Sequence, residues 1–183
     1  MPRRLALAAL ALVAPLAGAA GLAFAQTAAP PATTPLKAAD GKTIGEAGFR
    51  AANGGVLIDV KVSGLTPGWH GMHLHAVGDC SDAKFEKAGG HINHAGDHKM
   101  AHGLLNPDGP DFGDLPNIYV AADGTGQAQA FTTLVSWNTT AQGAHMGLKD
   151  ADGSAIVIHA APDDQRSQPI GGAGDRVACG VIK

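Results

Sequence analysis

The chain has 183 residues, a formal net charge of −3 from 13 Lys+Arg against 16 Asp+Glu, and only 4 % aromatic side chains. No basic stripe runs along it, which excludes nucleic acid as an expected partner. The length allows one domain with a sizeable core, and the 45 % hydrophobic content is inflated by alanines near the N-terminus.

Met1-Pro2-Arg3-Arg4 is a basic start, residues 5–22 form an Ala/Leu-rich apolar run, and Ala23-Phe24-Ala25 offers an A-x-A cleavage site. Pro15 and the small residues ending the run argue for a cleaved export signal over residues 1–25 rather than a membrane anchor. Export places the protein in the periplasm with no membrane span, and losing Arg3 and Arg4 takes its charge from −3 to −5. Residues 26–35 are small, polar and Pro-rich, as a disordered linker would be. Residues 36–183 form the folded domain.

Strand patterns fill that domain. Expected strands cover 35–38, 42–52, 56–63, 69–76, 117–121, 126–133, 155–159 and 178–182, with a short helical turn near 134–140. Val56, Ile58, Val60 and Val62 alternate with polar positions, and Asn53-Gly54-Gly55 before them is a hairpin signal. Residues 77–115 and 160–177 break the rhythm. Loops this long in a compact domain are usually functional or disordered, and these hold most of the metal-type side chains. Short strands joined by Gly and Asp-Gly turns point to an antiparallel sandwich or barrel.

Seven of the nine histidines lie between His70 and His102. His73 and His75 are two apart, so on a strand both rings leave the same face. Neutral imidazole is the commonest side-chain ligand for copper and zinc. The only cysteines, Cys80 and Cys179, read in an exported chain as a disulfide. Such a loop of about 100 residues is worth roughly 4–5 kcal/mol in the loop-entropy account. Two thiolate ligands are the weaker alternative without a C-x-x-C spacing.

The run Gly68-Trp69-His70-Gly71-Met72-His73-Leu74-His75 is followed by Gly89-Gly90-His91, His102-Gly103, Gly113-Asp114-Leu115-Pro116 and Ile158-His159. Gly174-Asp175-Arg176-Val177-Ala178-Cys179-Gly180-Val181-Ile182 completes the series. In this order the motifs closely resemble the copper/zinc superoxide dismutases of the exported bacterial type, from about residue 36 to 182. The resemblance implies an eight-stranded antiparallel Greek-key β-barrel (an immunoglobulin-like sandwich) with two long functional loops. It implies His73, His75, His91 and His159 as copper ligands, with His91 bridging to zinc, and His102 and Asp114 as zinc ligands. It further implies Asp163 as a carboxylate tying a copper-ligand His to a zinc-ligand His, Arg176 as the guanidinium receiving superoxide, and Cys80–Cys179 as the disulfide. His91 and Arg176 are then the catalytic pair, with superoxide as substrate. His70 is implied to be structural.

Bland readings stand for the rest. Met72 is a packing residue where the family commonly has Phe. Lys84 and Lys87 are as well explained by a solvated loop as by steering of superoxide. His145 and Asp164 read as surface residues.

One departure matters. Asp111 stands where the family has a third zinc-ligating His, while the spacing from His102 to Asp111 and Asp114 is kept. Asp111 ligates zinc itself, or His94 or His98 supplies a nitrogen, or the zinc site is weak. The kept spacing and the acceptability of carboxylate oxygen to zinc favour the first. The sequence thus reads as a copper- and zinc-dependent superoxide dismutase. The rival is a periplasmic copper-buffering protein on the same fold with a degenerate zinc site, which gives no reason for Arg176 and Asp163. A zinc hydrolase fares worst for want of a general base. Monomer and homodimer are both compatible with the pattern.

Overall fold

The computed structural model describes residues 31–93, 100–138 and 146–183. The expected signal, linker residues 26–30, and His94, His98 and His145 lie outside the described residues. The elements are β1 (Ala32–Ala38), β2 (Thr43–Ala52), β3 (Gly55–Val62), β4 (Gly68–His70), β5 (Met72–His75), β6 (Ile118–Val120), β7 (Gly126–Thr132), β8 (Val135–Ser136), β9 (Met146–Gly147), β10 (Ser154–His159) and β11 (Arg176–Ile182).

Alternation builds the wall. On β3, Val56, Ile58, Val60 and Val62 are buried while Lys61 faces solvent. β4 and β5 are two halves of one run, parted at Gly71. β4 pairs with β6 and β5 with β10, the two ends of the order β4-β6-β7-β3-β2-β1-β11-β10-β5. Counted as one strand, the halves close an eight-stranded barrel in which every pairing is antiparallel. The β3-to-β4 and β7-to-β10 connections each skip two strands, which is Greek-key topology.

β10 is buried along its whole length. Ile156 and Ile158 enter the barrel core, whereas Ala155 and Val157 pack outside the wall against Phe85, Ala88 and Cys179. The segment after β5 therefore lies over the outer face of β10. The Cys80–Cys179 disulfide pins it there, with Cα atoms 5.9 Å apart and a sequence separation of 99.

Two expectations are corrected. The first strand begins at Ala32, so residues 32–35 pair with β2 from Ala32↔Phe49 to Pro35↔Glu46 instead of belonging to a disordered linker. Ladder pairing needs main chain only, and Thr34 and Leu36 keep the inward alternation despite the small, polar composition. At the described part of the expected turn near 134–140, Val135–Ser136 forms β8 in parallel with β9. Val135 is drawn into the barrel core.

Candidate metal centre

β5 and β10 set the frame. His73 and His75 lie opposite Val157 and Ala155 on β10, on the outer face of the wall. His159, two residues beyond Val157, joins them on that face. Met72 and Leu74 point into the core.

The free edge of β5 then holds two loop segments. Leu74 N–H donates to Gly113 O, and Leu74 O accepts from Ile92 N–H, both at 2.8 Å. Bridges pair His75 with His91 and His73 with Asp114. A Cβ on Gly113 would lie 2.2 Å from Leu74 O, so only glycine permits this approach. The loop that looks irregular in sequence is thus registered to the strand.

Each of the four rings has one nitrogen occupied. His73 Nε2 meets Asp163 Oδ2 at 2.8 Å, His75 Nδ1 meets Gly89 O at 2.9 Å, His159 Nδ1 meets Gly174 O at 2.9 Å, and His91 Nδ1 meets Asp111 Oδ2 at 3.0 Å. The other nitrogens, His73 Nδ1 and Nε2 of His75, His91 and His159, are buried and have no hydrogen-bond partner among the described residues. These four residues offer donor atoms within 4.8 Å of one another. Buried polar atoms are seldom left unpaired. Four converging imidazole lone pairs fit a transition metal.

A second donor set adjoins the first through His91. His73, His91, His102 and Asp114 also offer donors within 4.8 Å. Asp114 Oδ2 accepts the N–H groups of Gly103 at 2.6 Å and Asp111 at 3.0 Å, which turns the buried Oδ1 toward the histidines. Asp111 Oδ1 accepts Gly113 N–H at 3.0 Å, which turns Oδ2 toward His91. Asp114 Oδ1 lies 2.5 Å from His102 Nδ1 and 3.6 Å from His91 Nδ1; Asp111 Oδ2 lies 3.0 Å from His91 Nδ1 and 3.9 Å from His102 Nδ1. A zinc tetrahedron with bonds near 2.0–2.1 Å has edges of about 3.3 Å, which these separations straddle. Both donor sets are of the kind that can hold a metal ion.

Protonation differs between the sets. Burial holds His73 and His159 down to about 4, against the opposing pull of Asp163 and of Gly174 O respectively. Burial, with the charges of His91 and Arg176, also holds His75 well below the usual histidine range. Burial works against His102 as well, but hydrogen bonds to Asp114 and Asp163 override it and lift the ring to about 10. His91 is raised against burial by Asp111 and Asp114. Burial pushes the Asp111 carboxyl up, with the Asp114 charge adding to it and His91 opposing. Asp114 and Asp163 stay well below the carboxylate range because bonds to His102, and to His91 and His73 respectively, outweigh burial.

Asp163 joins the two sets, Oδ2 on His73 and Oδ1 on His102 Nε2 at 3.1 Å. Asn117 clamps its main chain, with Nδ2 donating to Asp163 O at 2.9 Å and Oδ1 accepting Asp163 N–H at 3.0 Å. Arg176 donates from Nη1 to Phe85 O at 2.5 Å and from Nη2 to Gly89 O at 2.7 Å. Gly89 O thus serves both the guanidinium and His75. Arg176 borders two open pockets, one lined by Lys84 and Glu86 and another by His91 and Asp111. His70 is no part of either set: its ring nitrogens meet His159 O at 2.7 Å and Thr66 O at 2.8 Å.

Three contributors carry no sequence signal. The Gly89 carbonyl is main chain, Phe85 turns its carbonyl to Arg176 from a left-handed conformation at φ 55°, and Gln168 reaches the site loop from 66 residues away.

An all-β barrel bearing two contiguous metal-donor sets on its outer wall defines a metalloprotein of the antiparallel-barrel class. The sequence profile of the copper/zinc superoxide dismutase (SODC) family matches residues 43–182. A "Superoxide dismutase [Cu-Zn]" from Caulobacter vibrioides is 53 % identical over 152 residues, 83 % of this chain and 85 % of that protein. "Superoxide dismutase [Cu-Zn] 2" from Aquifex aeolicus is 42 % identical over 145 residues, 79 % of this chain and 81 % of the relative. The crystal structure of a SOD-like protein from Bacillus subtilis superposes with a TM-score of 0.76 at 32 % identity, covering 85 % of this chain and 100 % of that one. The chain belongs to the copper/zinc superoxide dismutase family, whose cofactors are copper and zinc. Bacterial relatives and the disulfide are in keeping with export.

Proposed function

We propose that the chain converts two superoxide anions and two protons to dioxygen and hydrogen peroxide, with copper on His73, His75, His91 and His159 and zinc on His91, His102, Asp114 and Asp111. The observation that carries this reading is the set of four buried, unpartnered ring nitrogens at the outer wall. Bound copper supplies the one-electron redox chemistry, and bound zinc adds fixed charge without redox.

The chain's own groups do the remaining work. Arg176, held by two carbonyls at the edge of the cluster, attracts the small anion with a charge that does not titrate in the working range. His91 is the ring placed to hold a proton on Nε2 for the departing peroxide, since Asp111 and Asp114 support its Nδ1. Asp163 fixes the orientation of His73 and His102. The full chain is read as exported to the periplasm after cleavage near Ala25.

Metal content and dismutase activity of protein purified from its own compartment test the reading. Near-equal copper and zinc with activity is the expected result; copper without activity would replace it with copper buffering. Arg176→Ala should lower dismutation at least about tenfold at low ionic strength, with copper content unchanged. An Arg176→Ala enzyme as fast as the parent would remove Arg176 from the mechanism.

A further inference from the structure

We propose that Gln168 is a positioning residue for the second metal, clamping the main chain of His102 so that the ring's Nδ1 stays aimed at the site. The proposal rests on the reading that His102 holds zinc. The Gln168 carboxamide makes both main-chain hydrogen bonds to His102: Oε1 accepts its N–H at 3.0 Å, and Nε2 donates to its carbonyl at 2.9 Å. A primary amide offers donor and acceptor side by side, the pattern a neighbouring strand would present. His102 lies in no strand and has no ladder partner.

The same loop also takes the ring, since Asp163 Oδ1 meets His102 Nε2 at 3.1 Å. Main chain and ring are therefore anchored from one side, and Nδ1 is left to face Asp114 Oδ1 at 2.5 Å. The clamp is braced. Asp164 Oδ1 accepts the N–H groups of Arg166 at 2.8 Å and Ser167 at 2.7 Å, and Ser167 O accepts Gly171 N–H at 2.7 Å. The two loops interlock at Gly103, where a Cβ would lie 2.2 Å from Gln165 O.

Removing the Gln168 amide leaves the two ends of the His102 peptide unequal. The carbonyl keeps a second donor, Asn106 Nδ2 at 3.0 Å, while the His102 N–H loses its acceptor. His73, His75 and His159 sit on strands and need no such clamp. The effect of Gln168 is accordingly selective for zinc over copper.

The test is metal transfer from the copper- and zinc-loaded enzyme to a chromophoric chelator, followed for each metal separately. Gln168 is exposed, so its replacement leaves the core intact. Gln168→Ala should weaken zinc retention about tenfold, in the range set by loss of a supporting contact, with copper retention unchanged. Gln168→Glu keeps the acceptor for the His102 N–H and should recover most of the loss. Unchanged zinc retention in Gln168→Ala overturns the proposal, and so does equal loss of both metals, which would mark a general loosening of the loop. His102→Ala separates the premise: if it leaves zinc retention intact, the zinc reading of His102 fails, and the clamp has nothing to position.

Discussion

The two donor sets are built in opposite ways. Three of the four rings in the first stand on β5 and β10, where the ladder fixes the main chain and the pleat fixes the face. In the second, His102, Asp111 and Asp114 come from the long segment between β5 and β6. Side chains and single bridges do the work of the ladder there: Gln168 on His102, Gly113 on Leu74, and the Asp111 and Asp114 carboxylates on the loop's own N–H groups. A redox metal gains from ligands that do not drift, and a strand supplies that without further contacts. A loop can tolerate a changed side chain at such a position provided its supports remain.

The sharpest way to break this contrast is Asp163, whose carboxylate bonds a ring of each set. Asp163→Ala leaves His73 Nε2 and His102 Nε2 without their acceptor in a buried place. It should cost about 2–4 kcal/mol of stability in the metal-free protein and weaken retention of both metals about 10–100-fold. Calorimetry and metal analysis read the two effects. Loss confined to one metal would show that the sets are not joined through this residue.

A smaller effect sharpens the contrast. Asp111→Ala removes a carboxylate that reaches the loop-built set and, of the copper rings, only the shared His91, so zinc retention should fall about tenfold or more and copper retention much less. Asp111→His, which puts the family's side chain back, should restore zinc. Zinc retention unmoved by Asp111→Ala would give the fourth position to another group.

Legibility in the sequence follows the same division. The alternation of β3 and the spacing of His73 and His75 are local properties of a strand, so they could be read directly. The family's motif order supplied His91, His102, Asp114, Asp163 and Arg176, which the structure brings together. What the sequence hid is non-local. Nothing in Gly71 says that one strand divides there to close a barrel, and nothing in Gln168 says that its amide lies on a peptide 66 residues away. Phe85, at φ 55°, has a conformation that its side chain argues against. The start of β1 at Ala32 was hidden because main-chain pairing overrides a composition that suits a linker.

The contrast should also appear, most gently, in how the metal-free protein responds to pH. His73 and His159 have folded pKa values of about 4, below the roughly 6.5 of an unfolded histidine. Between those values the unfolded chain takes up protons that the folded chain refuses. Stability present above about pH 6.5 is therefore lost progressively as pH falls toward 4. His102 runs the other way. Its folded value of about 10 lies above the unfolded one, so its contribution is whole below about pH 6.5 and disappears as pH rises toward 10. His91, also raised, adds to the alkaline loss. The stripped protein should accordingly be most stable near pH 6.5, losing its strand-held set to acid and its loop-held set to alkali. Urea midpoints at pH 4.5, 6.5 and 9.5 would show it, and a flat acid limb would mean that the strand histidines are not held neutral by burial. Metal loading should flatten both limbs, because a bound cation takes the place of the protons in one set and requires the neutral rings that burial already favours in the other.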